Sequence, residues 1–216
     1  MRRAVIFDMD GVLVDSCPLI WDSFIVAARE QELNVSGESM KDYLGISIQD
    51  CLTRWKKAYG VQLKFKRFRA TACEYQNTHL GDKDLAVPGV KEFLNTLKAN
   101  GIRMAVGTSS HEERARFYLE PTKLAHYFDA IVTSTRVPNH KPFPDIFLRA
   151  ATELGVAPGK CIVIEDAPIG IEAAHRAGMK AIGITTPPST KELLQSADIV
   201  IGGFSELSVE RVLSFI

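Results

Sequence analysis

Six short apolar runs punctuate the chain, at Ala4–Phe7, Arg103–Val106, Ala130–Thr133, Cys161–Ile164, Ala181–Ile184 and Ile199–Ile201. None alternates apolar with polar residues. A strand with one wet face must alternate, so runs of this kind predict parallel strands covered on both sides. Helical patterns fill the intervals. Val90, Phe93, Leu94 and Leu97 share one face of Val90–Ala99, and Gly101 stops it. Phe143–Leu154 and Ile169–Ala177 behave likewise and end near Gly155 and Gly178. Strand and helix in alternation give the expected fold class, an α/β fold on a Rossmann-like parallel sheet.

The rhythm fails in one place. From Asp15 to Leu85 the sequence shows helices and no strand. Ile20, Phe24 and Ala28 stand four apart; Ile48, Leu52, Trp55 and Tyr59 make a second apolar face, and Phe65, Phe68, Ala72 and Tyr75 a third. A small α-helical block inserted after the first strand is a cap by its position. The expected division is therefore a core of residues 1–14 and 86–216 with a helical cap of residues 15–85. A chain of 216 residues is long enough for such a core and insert.

Charge excludes some partners. Lys plus Arg number 26 and Asp plus Glu number 26, so net charge gives no support for a nucleic acid or a membrane surface. Arg54, Lys56, Lys57, Lys64, Lys66, Arg67 and Arg69 do fall in a stretch with no acid. Aromatic residues interleave there at helical spacing, which reads as a solvated basic face over a small core rather than an anion-binding surface. Cys17, Cys51, Cys73 and Cys161 form no CxxC pair and no zinc pattern. Asp8 and Asp10 end the first apolar run after four residues, too short for the core of a signal peptide. A cytoplasmic protein with reduced thiols is expected.

The chemistry lies where the runs end. The first ends in Asp8-Met9-Asp10-Gly11, and ligands of open α/β sheets bind outside the carboxyl ends of strands. Two acids so close in a partly buried site repel each other, unless a hard cation with oxygen ligands offsets the cost. The second is followed by Gly107-Thr108-Ser109-Ser110, where Ser110 and Glu113 read as a capping box opening a helix beside two hydroxyls. Lys141 stands in His140-Lys141-Pro142-Phe143-Pro144-Asp145, placed to neutralise an anion. Glu165-Asp166 follows Cys161–Ile164 as a second acidic pair. Each signal has a bland reading: an acidic turn, a capped helix, a loop lysine, an N-cap. Four in order at successive strand ends are far harder to dismiss.

Together these motifs resemble the haloacid dehalogenase superfamily of aspartyl-phosphate enzymes, in its β-phosphoglucomutase-like subgroup with a helical cap. The likeness extends to Val87-Pro88-Gly89-Val90 and to Ile164-Glu165-Asp166-Ala167-Pro168-Ile169-Gly170. It implies a Mg²⁺-dependent phosphatase with Asp8 as nucleophile and Asp10 as general acid and base. It implies that Asp8, Asp10 through its carbonyl and Asp166 hold the metal, with Glu165 a ligand or its orienter. It implies that Thr108, Ser109 and Lys141 hold the phosphoryl oxygens. The substrate so implied is a small phosphorylated metabolite such as a sugar phosphate, and the state a monomer.

The chain departs from the subgroup's mutases. They present an arginine where Ile48 stands in Gly45-Ile46-Ser47-Ile48, and a lysine and asparagine where His111 and Glu112 stand. Ile20 replaces a histidine common early in the cap, and His140 a glycine before the lysine. Glu112 would repel a second phosphate, and isoleucine lacks an arginine's paired donors. Phosphate release to water is therefore preferred over two alternatives, a sugar phosphomutase and an inactive metabolite-binding protein.

Overall fold

All six apolar runs are strands in the computed structural model, which describes residues 2–43, 45–81, 84–187 and 189–215. They are β1 (Ala4–Phe7), β2 (Arg103–Thr108), β3 (Ala130–Thr133), β4 (Cys161–Glu165), β5 (Lys180–Ile184) and β6 (Ile199–Ile201). Every pairing is parallel, in the order β3-β2-β1-β4-β5-β6. The helices after the block are α4 (Val90–Ala99), α5 (Glu112–Thr122), α6 (Asp145–Leu154), α7 (Pro168–Arg176) and α8 (Val209–Leu213).

The absence of alternation has its cause in the two layers. Val5 and Phe7 of β1 point into a core with Val90, Phe93 and Leu94 of α4 and Leu119 of α5. Ala4 and Ile6 point the other way, into a core with Phe147 and Ala150 of α6 and Ile171 and Ala174 of α7. Both sides of each strand are thus dry, and both demand apolar residues. Strand order runs outward in both directions from β1. That reversal opens a crevice at the carboxyl ends of β1 and its neighbours β2 and β4.

Between β1 and α4 lies the helical block, α1 (Cys17–Arg29), α2 (Ile48–Tyr59) and α3 (Phe65–His79), with a short 3-10 turn at Glu38–Tyr43. Its centre is aromatic: Phe68 meets Phe24 edge-on at 5.2 Å and Trp55 at 5.8 Å between ring centroids. Two of the apolar faces read from the sequence are corrected at their ends. Tyr59 is exposed, because Gly60 ends α2 in the left-handed conformation one residue later. On α3 the buried residues are Phe68, Ala72 and Gln76, with Phe65 and Tyr75 at the margin. The basic residues of the 54–69 stretch face solvent, apart from the half-buried Arg69, and its Trp55 and Phe68 are core. Chain enters and leaves the block side by side: the Asp15 N–H donates to the Leu85 carbonyl at 2.8 Å, and the Val87 N–H to the Leu13 carbonyl at 3.0 Å. No helix among the described residues is long and apolar enough to cross a membrane.

Candidate active site

The ladder of β1 runs one residue beyond the strand. The Asp8 N–H donates to the Ile164 carbonyl at 2.9 Å, which plants the Asp8 carboxylate beside the end of β4. The chain then turns tightly, with the Gly11 N–H donating to the Val14 carbonyl and the Val14 N–H to the Met9 carbonyl. Gly11 has φ +78°, and a Cβ there would lie 2.0 Å from Asp166 Oδ2. Only glycine lets this turn both bend and pass against Asp166.

Lys141 is buried, not a solvated loop residue. Its ammonium donates to Asp8 Oδ1 at 2.5 Å and to Glu165 Oε1 at 2.6 Å. The other oxygen of Glu165 accepts from the N–H groups of Asp166 and Ala167, each at 2.9 Å. A Cβ at Gly170, on the first turn of α7, would lie 1.7 Å from Glu165 Oε1, so the helix start can approach this carboxylate only as glycine. Both Glu165 oxygens are therefore engaged. Asp166 differs: its Oδ2 is buried with no hydrogen-bond partner among the described residues.

One lysine faces three buried carboxylates. Burial pushes the Asp8 carboxyl up to about 7 despite Lys141 beside it, and Glu165 and Asp10 add to the rise. Burial, reinforced by Glu165 and Asp8, holds Asp166 well above the usual carboxylate range. Burial alone would lower Lys141, but Asp8 and Glu165 outweigh it and raise it. Oxygens of Asp8, Glu165 and Asp166 lie within 4.8 Å of one another. An unpartnered buried carboxylate oxygen in such a cluster fits a hard cation with oxygen ligands.

At the end of β2, Thr108 is buried and its Oγ1 accepts from the Ser110 N–H at 3.0 Å. The Ser109 hydroxyl is buried without a partner among the described residues. The expected capping box does not form. Helix α5 starts at Glu112 with His111 as its N-cap and no side-chain cap bond. The Ser110 hydroxyl donates instead to Asp10 Oδ2 at 2.7 Å, and Glu113 pairs with Arg69 of α3. A carboxylate is the stronger acceptor for the hydroxyl, because charge-assisted bonds exceed neutral ones.

Two residues with no site role in the sequence also hold Asp10. Ser16 donates to its Oδ1 at 2.5 Å, and the Arg114 guanidinium lies 3.5 Å from the same oxygen. Ser16 reads as hinge and Arg114 as one charge in the run Glu112-Glu113-Arg114, so neither carries a signal of its own. Asp8, Asp10, Thr108, Ser109 and Arg114 line a cleft roofed by Ile20, Trp21, Phe24, Met40, Tyr43 and Ile48 of the helical block. Its volume is about 50 Å³, room for a few water molecules. Glu112 stands outside, paired with Arg116 at 3.0 Å.

Comparison with known proteins bears on the family of the chain. Residues 5–184 match the family described as haloacid dehalogenase-like hydrolase. A phosphorylated carbohydrates phosphatase of Thermotoga maritima is 32% identical over 83% of this chain and 83% of its own length. A β-phosphoglucomutase of Bacillus subtilis is 31% identical over 96% of this chain and 92% of its own length. The crystal structure of a β-phosphoglucomutase from Clostridium difficile superposes with a TM-score of 0.86 at 28% identity, covering 99% of this chain and 96% of that one.

Proposed function

We propose, from the premise that this chain belongs to the haloacid dehalogenase-like hydrolase family, that it releases phosphate from a small phosphorylated sugar or polyol, with Asp8 as nucleophile. The observation that carries this reading is Asp8 itself. It is a buried carboxylate on the floor of a small cleft, bridged to Lys141, with Asp10 held across from it by two hydroxyls.

In the first half-reaction an Asp8 oxygen attacks phosphorus and the bond from phosphorus to the leaving oxygen breaks. Asp10 donates its proton to that oxygen. In the second, Asp10 takes a proton from a water molecule, the water oxygen attacks the aspartyl-phosphate, and Asp8 and inorganic phosphate are released. Two steps with one positioned acid and base replace a single difficult displacement. Thr108, Ser109 and Lys141 meet the phosphoryl oxygens, where charge accumulates in the transition state. Asp8, Asp166 and the Asp10 carbonyl would hold Mg²⁺, while Glu165, with both oxygens engaged, orients Lys141 and the turn into α7. When bound, the metal supplies positive charge that lets a carboxylate approach a phosphate.

The helical block acts as a cap. A cleft of about 50 Å³ is too small for a sugar phosphate, so the block opens about the paired segments at residues 13–15 and 85–87 to admit one. Relatives include a phosphatase and a phosphomutase. Ile48 in the cleft roof offers no donor to a second phosphate, and Glu112 outside it would repel one, which supports hydrolysis. The four free cysteines fit a reducing compartment.

The test is phosphate release from a panel of sugar, polyol, nucleotide and short-acid phosphates, with and without Mg²⁺, beside Asp8→Asn. Metal-dependent release that Asp8→Asn lowers at least about a thousandfold is expected. A folded protein that releases none, but interconverts sugar phosphates when primed with a bisphosphate, would instead be a mutase.

A further inference from the structure

We propose that Arg114 is a substrate-binding residue that selects a leaving group bearing a hydroxyl near its phosphoester, a proposal that rests on the phosphatase reading above. Arg114 is the third residue of α5, and its side chain lines the closed cleft at 17% exposure. Its Nε is buried with no hydrogen-bond partner among the described residues. Its charged neighbour, Asp10, stands at 3.5 Å, within ion-pair reach but longer than a good hydrogen bond. A guanidinium has five donors, and a desolvated cation short of acceptors is costly unless something else supplies them.

The group is held firmly. It lies 5.9 Å from the centre of the Tyr118 ring, and the Tyr118 hydroxyl donates to Gln76 Oε1 at 3.2 Å. Gln76 in turn donates to the Ser23 hydroxyl at 2.7 Å. Arg114 thus packs beside a buried chain of contacts that reaches α3 and α1 of the helical block.

Charge selects the class of ligand. Asp10 is the one acid beside Arg114 in the cleft, and the roof there is Ile20, Trp21, Phe24, Met40 and Ile48. Asp10 must give up its proton to the leaving oxygen, and a second phosphate or a carboxylate held at Arg114 would lie beside the carboxylate so formed and oppose that step. A neutral hydroxyl accepts from Arg114 and adds no charge. The leaving group it fits is therefore a polyol or sugar carbon chain rather than a short acid.

The probes are glycerol 1-phosphate and propyl phosphate, two esters of equal carbon count whose leaving alcohols both need an acid. For the wild type, kcat/KM should favour glycerol 1-phosphate, and Arg114→Met should reduce that preference about 10- to 100-fold, the worth of a hydrogen bond to a charged group. Arg114→Lys, which keeps the charge but loses the fork, should reduce it less, and it reads the same ratio should the Met variant fail to fold. An unchanged ratio, with both esters falling together or neither falling, would overturn the assignment and leave Arg114 as a support for Asp10. A wild type that hydrolyses neither ester nor any member of the wider panel would overturn the phosphatase reading and this one with it.

Discussion

At the carboxyl edge of the sheet, Asp8, Glu165, Asp166 and Lys141 are all buried within reach of one another, whereas the helical block buries rings, three serine hydroxyls and the Gln76 amide. Among its described residues the block buries no charge at all. Desolvated charge costs several kcal/mol per ion unless geometry is held closely. A six-stranded parallel sheet with two dry faces holds it so; three helices on two connecting segments do not. The sheet edge is thus the place for reacting groups, and the block the place for shape. The cleft between them takes its floor from one and its roof from the other.

A change at the sheet edge should have the strongest consequence. Asp8→Asn should lose phosphate release at least about a thousandfold while its circular dichroism stays that of the folded chain, because it removes the attacking oxygen and one buried charge but little volume. An active variant would show that the buried cluster is structural.

Next is a cut into the block. Phe68 is fully buried between Phe24 and Trp55, and Phe68→Ala should cost about 3–5 kcal/mol. If block and sheet are separate in energy as they are in composition, hydrogen exchange will accelerate in α1 to α3 and stay slow in β1, β2 and β4. Equal acceleration in both would mean one cooperative unit.

A third test concerns charge and pH. The folded Asp8 carboxyl, pushed up to about 7, keeps a proton that the unfolded chain has lost above about pH 4. Without metal, this contribution to stability is therefore greatest at low pH and is lost as pH rises through about 7, and Asp166 acts in the same direction. Mg²⁺ at about a hundred times its Kd should restore about 2.7 kcal/mol at pH 8 and far less near pH 5, where it competes with protons. Thermal melts at both pH values, with chelator or with Mg²⁺, read this directly. A metal effect independent of pH would place the ion away from Asp8 and Asp166.

The smallest effect is expected where the two regions touch. Arg69 of the block pairs with Glu113 of α5, both partly or largely in solvent. A double-mutant cycle on Arg69→Ala and Glu113→Ala should find a coupling of less than about 1 kcal/mol. A larger value would make this pair a latch on the closed state.

The sheet and its reactive edge follow from sequence pattern alone. Dry strands must be apolar throughout, so all six were legible, and strand ends carry ligands, so Asp8, Thr108, Lys141 and Glu165-Asp166 stood out by position. Local patterns did less well where a distant group competed. The Ser110–Glu113 pattern promised a cap, but Asp10, a hundred residues away in the chain, took the serine hydroxyl. The folded geometry set which carboxylates are engaged and which are not. Glu165 and Asp166 are neighbours of similar chemistry, yet one has Lys141 and two N–H groups while the other has a bare oxygen beside Gly11. It likewise decided that Arg114, one of three consecutive charges on a helix, is the one turned into the cleft. Such assignments depend on distances between segments remote in the chain, and periodicity and spacing carry no record of those.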